Sequence, residues 1–404
     1  MPEPTRHLRP GSAGFVALIA GIITMTAASI DMNLPAIPAT AVDLGVEPEV
    51  AQLTVSFFFL GFALAQAVAG PLSDRFGRRP VLLWGMAGYL VATVGCLMAP
   101  SIEALLVMRA LQGLFAASGP VLGRAVVRDL FEGPEMARIM SFTMAAFILA
   151  PMIAPSVGAL LLGLGSWRWI FGFLLVYVAL LLALTWRLFD ESLARPDPAA
   201  LRPSRIAQGW RIVLTSRPSL VYGAVTCFTM AMLLIYLATA APLFMVTMGL
   251  SAGGFGVLFA LVAACAAIGS LGNARLVRRF SLEAIVRFAL LLTLAAILGG
   301  LAVQVLGLAS PVTLGFVFGA FFLSFSLTVS NATTLALAPH GGMVGAASSV
   351  IGVVQSLAAA AISAAVGLAF DGTALPALLA MLVLVVLSLG ALRLGGRARA
   401  AATA

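Results

Sequence analysis

The chain has 404 residues, of which 62% are hydrophobic and only 9% are charged, and it carries a formal net charge of +8. A soluble globular domain carries about 25% charged residues, so this composition excludes a soluble protein of such length. The three cysteines, Cys96, Cys227 and Cys265, all lie in apolar runs. No loop therefore offers a cysteine cluster for a disulfide framework or a metal centre.

Twelve apolar runs follow one another along the chain. Each is long enough, at about 20 residues, to cross the hydrocarbon core of a bilayer as a helix. Residues 1–10 are polar, and the run after them is too long for a signal-peptide core, so we interpret it as a retained first span. The spans are predicted at residues 13–35, 50–71, 80–99, 103–125, 138–162, 167–188, 218–246, 253–273, 284–307, 311–335, 343–368 and 374–394.

The arginines lie on one side of this arrangement. All 23 basic residues are arginine, and all but Arg109 and Arg168 fall in or beside segments on the side that holds both termini. Positive residues are enriched in cytoplasmic loops, so both termini are predicted in the cytoplasm, with the protein in the bacterial inner (plasma) membrane. The same placement explains the net charge without nucleic acid as a partner.

The longest polar stretch separates spans six and seven and is rich in proline. It predicts a cytoplasmic linker at residues 189–217, with a short amphipathic helix around residues 206–214. The linker divides the chain into an N-terminal six-helix bundle at 1–188 and a C-terminal six-helix bundle at 218–404.

An internal repeat supports two equivalent halves. Gly70, Leu72 and Asp74 follow span two, and Gly269, Leu271 and Asn273 occupy the matching places after span eight. Parallel repeats of six spans are the architecture of major facilitator transporters.

The segment after span two resembles the signature loop of the major facilitator superfamily. The residues that carry this resemblance are Gly70, Leu72, Asp74, Arg75, Gly77, Arg78 and Arg79. Other segments resemble the bicyclomycin/chloramphenicol-resistance branch (Bcr/CflA-type) of its drug:proton antiporters: residues 31–38, 109–113, 150–158, and 345–349 with Gln355. The resemblance covers essentially the whole chain. It implies an all-α membrane protein of the major facilitator fold, with 12 transmembrane helices in two pseudo-symmetric six-helix bundles.

The signature loop is predicted to form a cytoplasmic gate. Asp74 is expected to dock on the positive N-terminal end of span eleven, near Gly342, and the arginines are expected to pair with Asp129. Gly70 is expected to let a neighbouring helix approach closely. The alternative is a positive-inside anchor without a gating role. The gate residues are Gly70, Asp74, Arg75, Gly77, Arg78, Arg79 and Asp129.

Asp31 and Arg109 are the carboxylate and the arginine that lie clearly inside spans. Charges at such depth are costly and usually functional. Their similar depth predicts an ion pair in which Asp31 exchanges protons and Arg109 tunes its proton affinity; the alternative is a static structural pair. Several members of the resembled family carry a second acid two turns earlier in span one, where this chain has Ile23, so the resemblance implies proton coupling through Asp31 alone.

Pro151, Pro155 and Gly158 in span five match the antiporter motif of that family. Proline breaks helical hydrogen bonds and kinks a helix, so the motif is expected to form a close-packing hinge; ordinary tolerance of proline in membrane helices is the alternative. Embedded polar residues are the candidates for a substrate cavity: Asn33, Gln112, Tyr236, Asn331 and Gln355.

Enzyme motifs are missing from the sequence. His7 and His340 are far apart, and no Walker loop or metal-ligand spacing occurs, so no cofactor is predicted. We therefore predict a monomeric, proton-coupled antiporter that exports small drug-like compounds by alternating access, with substrate, protons and lipid as its partners. The alternatives are a nutrient or metabolite symporter or uniporter of the same fold, and a membrane scaffold or sensor without transport.

Overall fold

The computed structural model describes residues 8–198 and 200–402. In this part of the chain, twelve helical segments are long and apolar enough to cross a membrane, which confirms the twelve predicted spans and the all-α fold class. The α-helices are α1 Ala13–Asp31, α2 Ile37–Leu44, α3 Pro48–Phe76, α4 Arg78–Leu97, α5 Ile102–Ala116, α6 Ser118–Leu130, α7 Gly133–Leu162, α8 Arg168–Leu188, α9 Pro203–Thr215, α10 Arg217–Ala241, α11 Ala252–Leu276, α12 Leu282–Val305, α13 Pro311–Leu337, α14 Val344–Leu368 and α15 Leu375–Ala402.

Short polar segments begin and end these helices. Serine hydroxyls cap the first turns of α1, α5 and α11, where Ser12, Ser101 and Ser251 each accept a hydrogen bond from a backbone N–H three residues later. The second span runs on to Phe76 instead of ending near residue 71, so most of the signature loop is helical. Gly77, with φ of 99°, makes the turn into α4 because glycine alone adopts this conformation freely.

The polar segment after α8 lies against that turn. The Glu191 carboxylate accepts hydrogen bonds from the backbone N–H groups of Arg78, at 2.8 Å, and Arg79, at 3.1 Å. The backbone N–H of Asp197 donates to the carbonyl of Asp74 at 2.8 Å. Helix α9 follows, where a short helix around residues 206–214 was predicted.

Two pairs of helices join the first six spans to the last six. Helix α3 packs on α14, and α7 packs on α11. Within the first six spans, α3 also packs on α5, and α7 on α1. Span two and span five therefore each contact both groups of helices, and the candidate site residues lie around these contacts.

Glycines allow several of these helices to approach closely. A Cβ on Gly158 of α7 would collide with the backbone carbonyl of Met32, and one on Gly61 of α3 with that of Ala110. The predicted close packing at Gly158 is therefore confirmed. At Gly70, no atom of the described residues lies within 4 Å of an added Cβ, so the same prediction has no support in the described part of the chain.

Gly158→Ala is expected to destabilise the protein by about 1–3 kcal/mol, the usual cost of overpacking, because the backbone of Met32 cannot yield as a side chain can. Gly70→Ala is the matched control. It should be neutral or stabilising, since alanine favours a helix by about 0.8–1.0 kcal/mol over glycine. Thermal unfolding of both variants in detergent checks this, and equal losses of stability in the two would contradict it.

Candidate functional site

Asp31 ends α1 at the boundary between the first six and the last six spans. Its side chain is buried, with the residue 5% exposed, and no cation of the described chain forms an ion pair with it. The segment Leu34–Ala36, just after Asp31, contacts α10, the helix that carries Tyr236. Tyr236 is fully buried and its hydroxyl has no hydrogen-bond partner in the protein. The end of span one that carries Asp31 thus lies close to span seven, which carries Tyr236.

An aromatic cluster holds Tyr236 in place. The centroid of its ring lies 4.8 Å from that of Phe318, 5.0 Å from that of Phe322 and 5.7 Å from that of Phe259. Edge-to-face and tilted pairs at these separations are favourable. The ring of Tyr236 is therefore held in place by its packing in this aromatic cluster.

The predicted ion pair between Asp31 and Arg109 is wrong. Arg109 is fully buried inside the first six spans, where its guanidinium donates to the carbonyls of Ser29, at 3.2 Å, and Thr54, at 3.3 Å, and to Gln112 Oε1, at 2.6 Å. Its guanidinium carbon also lies 4.6 Å from the ring centroid of Phe58. The Ser29 hydroxyl lies 2.5 Å from that of Tyr89 in α4, and the side chain of Asp31, two residues later, is turned by about 200° around α1. Arg109 therefore contacts one side of α1, and the side chain of Asp31 lies on the opposite side of that helix.

The amides predicted for a substrate cavity have different surroundings. Gln112 is fully buried, accepts from Arg109 and donates to Thr93 Oγ1 at 2.8 Å. Asn331 donates to Asn273 Oδ1 at 2.8 Å and to the carbonyl of Leu327. In this conformation the amides of Gln112 and Asn331 already bind protein groups, so the structure gives no support to a cavity role for them, which stays a prediction.

Asn33 and Gln355 remain candidates for the cavity. Asn33 is 3% exposed and its Oδ1 has no partner in the protein. Gln355 is half-buried on α14. Among the predicted cavity residues, Asn33 and Tyr236 thus have polar atoms without a hydrogen-bond partner in the described part of the chain.

Arg78 is the centre of the signature segment. Its guanidinium pairs with Asp74 at 2.5 Å and with Asp129 at 2.7 Å, and it donates to Ser73 Oγ at 2.6 Å. These contacts join α3, α4 and α6 and confirm the predicted pairing with Asp129 for this arginine. The other two arginines differ: Arg79 donates to the carbonyl of Trp186, and Arg75 lies over the ring of Phe76.

The predicted docking of Asp74 on span eleven involves residues 341–346, whose side chains lie outside the described part of the structure, so it stays a prediction.

Sequence reasoning missed Glu191, which binds the first N–H groups of α4. An acid directly after span six, on the side rich in arginine, was the signal that could have found it.

Asp74→Asn is expected to slow transport severalfold while leaving the fold intact, because Arg78 keeps Asp129. Asp129→Asn should lower the unfolding temperature more, since the Asp129 side chain is 20% exposed and that of Asp74 is 46% exposed. Desolvated pairs contribute more than exposed ones. Transport rates and thermal unfolding, measured on the same preparations, check both; full transport by Asp74→Asn would contradict a gating role.

Pro151, Pro155 and Gly158 all lie in the single helix α7. Gly158 packs on Met32 at the end of span one, and a Cβ on Gly256 of α11 would lie 3.0 Å from Ser156 Oγ. The motif therefore lies where α7 contacts both the first and the last six spans.

Comparisons with known proteins agree with this architecture. A family model described as Major Facilitator Superfamily matches residues 17–364. The chain is 30% identical to a bicyclomycin resistance protein homolog of Haemophilus influenzae, over 92% of this chain and 93% of that one. It is 29% identical to a chloramphenicol resistance protein of Pseudomonas aeruginosa, over 82% and 77%. The fold is similar to that of the xylose transporter XylE from E. coli, with a TM-score of 0.70 at 14% identity, over 93% and 96%. The chain therefore belongs to the major facilitator superfamily of membrane transporters.

Proposed function

We propose that this protein is a proton-coupled antiporter that exports small, uncharged or amphipathic drug-like compounds. The observation that carries the proposal is the buried Asp31. It forms no ion pair with a cation of the described residues, and it lies three residues before Leu34–Ala36, a segment that contacts α10 and α11 of the last six spans. A charge at bilayer depth costs about 2.5–3.5 kcal/mol on insertion scales, so a carboxyl group kept there without a partner favours a working role. The names of the bicyclomycin- and chloramphenicol-resistance relatives support export of antibiotics.

In this mechanism Asp31 exchanges one proton for one substrate molecule. With the passage open to the outside, the carboxylate takes up a proton as the compound leaves. With the passage open to the cytoplasm, Asp31 releases the proton and a new compound binds. Tyr236 and Asn33 provide hydrogen-bonding groups beside the acid, and the aromatic rings around Tyr236 provide apolar surface. Because each ligand stabilises one state more than the other, transport of the two is coupled.

The remaining parts of the proposal concern movement and placement. Residues 1–188 and 218–404 move as two bundles joined by the linker at 189–217, within the bacterial inner membrane and with both termini in the cytoplasm. The Arg78 cluster with Asp74 and Asp129 controls the cytoplasmic end, and α7 bends at Pro151 and Pro155. Both walls of the passage come from one chain, which supports a working monomer.

The test is drug susceptibility in a bacterial host whose own efflux pumps are deleted. Expression of the wild type should raise the inhibitory concentration of chloramphenicol or bicyclomycin severalfold, and Asp31→Asn at equal expression should not. Equal protection by both proteins would contradict the role of Asp31. Increased sensitivity caused by the wild type would favour import, and therefore the symporter alternative.

A further inference from the structure

Several buried polar atoms of the described residues have no hydrogen-bond partner in the protein, and some of them lie at the depth of Asp31. They include both amide atoms of Gln52 and the hydroxyl of Ser56, on residues that are 1% and 5% exposed. These residues are four apart on α3 and so share one face of the helix. The other such atoms in this region include Asn33 Oδ1, the hydroxyl of Tyr236 and Nη2 of Arg109.

Contacts of Arg109 place Gln52 at the depth of Asp31. Arg109 binds the carbonyls of both Ser29 and Thr54, which therefore lie at one level of the bilayer. Asp31 follows Ser29 by two residues on the outward-running α1, and Gln52 precedes Thr54 by two on the inward-running α3. Both are about 3 Å further out than that level, at 1.5 Å per residue.

Gln52 also lies at the contact between the two groups of spans. Its Oε1 is 3.3 Å from the position that a Cβ of Gly367 would occupy on α14. Alternating access requires α3 and α14 to separate at this outer end. Because Gly367 has no side chain, their separation exposes the amide of Gln52. A buried donor or acceptor without a partner is costly, so Gln52 and Ser56 require a partner that comes from outside the protein.

The chemistry of the unpaired atoms indicates which ligand fits. A carboxamide presents one acceptor and one donor side by side, and another amide group complements it with two parallel hydrogen bonds. Ser56 adds a third hydrogen-bonding position one turn further along α3. Gln52 and Ser56 are themselves uncharged, so an uncharged polar group satisfies them without the loss of hydration that a charged ligand group would bear.

We infer that Gln52 and Ser56 form an outer subsite that binds the uncharged amide group of the exported compound beside Asp31. The inference names the substrate class and rests on the proposed function for the route that the compound takes. Water held by Gln52 is the competing occupant, and it would serve all substrates equally.

Equilibrium binding to the purified full-length protein tests this subsite. The probes are chloramphenicol, which contains a secondary amide, and tetraphenylphosphonium, an apolar cation without one. Gln52→Met should weaken chloramphenicol binding about tenfold, which corresponds to about 1.4 kcal/mol, and Ser56→Ala should weaken it about threefold. Gln52→Asn, which keeps the amide, should retain part of the affinity. Tetraphenylphosphonium binding, if present in the wild type, should change less than about twofold in each variant.

Gln304→Met is the matched control. Gln304 also has a buried amide oxygen without a partner, but it lies at the outer end of α12, away from the α3–α14 contact. Its substitution should change neither affinity. Ser56→Ala provides the second readout if Gln52→Met fails to fold.

Three results would overturn the inference. The first is no chloramphenicol binding by the wild type, and the second is unchanged chloramphenicol affinity in Gln52→Met and Ser56→Ala. The third is an equal loss of affinity for both probes, which would indicate that Gln52 holds only water or affects only the shape of the site. Failure of the proposed function is a separate outcome. If Gln52-dependent binding is found and the wild type exports nothing, the amide subsite stands and the export proposal falls.

Discussion

Asp31→Asn is expected to abolish proton-driven export and to leave exchange of substrate across the membrane intact. Asparagine keeps the size and polarity of the side chain but cannot bind and release a proton, so the coupling step is lost while the passage keeps its shape. In proteoliposomes loaded with unlabelled substrate, counterflow of labelled substrate should continue. Accumulation driven by a pH gradient should fall to the level of empty liposomes.

Asp371→Asn is the matched control for this prediction. Asp371 lies in the loop between α14 and α15, where hydrogen bonds from the Thr373 hydroxyl and backbone N–H hold the pKa of its carboxyl below the usual range. It therefore stays charged throughout the physiological pH range and carries no proton through the cycle. Accumulation by Asp371→Asn should equal that of the wild type, and loss of counterflow in Asp31→Asn would show a structural role for Asp31 instead.

Arg109→Ala is expected to be the most destabilising of the substitutions considered. It leaves two buried acceptors without a donor, the carbonyl of Ser29 and Oε1 of Gln112, at about 1–3 kcal/mol each. It also opens a cavity beside Phe58. Arg109→Lys should recover only part of the stability, because an ammonium lacks the planar fork that reaches separate acceptors. Thermal unfolding in detergent measures both effects.

The pH dependence of transport separates this structural role from a coupling role. A variant of Arg109 that still folds, such as Arg109→Lys, should keep the pH optimum of the wild type, since Arg109 does not touch Asp31. A shift of the optimum in Arg109→Lys, with unchanged stability, would instead favour direct coupling between the two residues.

The spans were predictable from the sequence because each must be apolar over a length set by the bilayer. The orientation of single side chains was not. Asp31 and Arg109 lie at similar depth, yet Arg109 contacts the side of α1 opposite to the Asp31 side chain. A shift of two residues along a helix is enough to change which neighbouring helix a side chain contacts. Hydropathy carries no information on that rotation.

Close packing was predictable only where a motif indicated it. Gly158 contacts the backbone of Met32 as expected, whereas a Cβ on Gly70, in an equally familiar motif, would meet no atom of the described residues within 4 Å. Glu191 and Gln52 were missed for a different reason. Their importance depends on the helices that they contact, which are α4 for Glu191 and α14 for Gln52. These contact partners are distant in sequence.

The most direct test of the central role of Asp31 uses inside-out vesicles with the membrane potential and the pH gradient imposed separately. One proton exchanged for an uncharged substrate moves one net charge per cycle, so 100 mV supplies about 2.3 kcal/mol. That energy supports a gradient of about fiftyfold, at 1.36 kcal/mol per factor of ten. The wild type should accumulate chloramphenicol on a potential alone, with no pH gradient, and Asp31→Asn should not. Potential-driven accumulation by Asp31→Asn would show that another group carries the proton and would contradict this account.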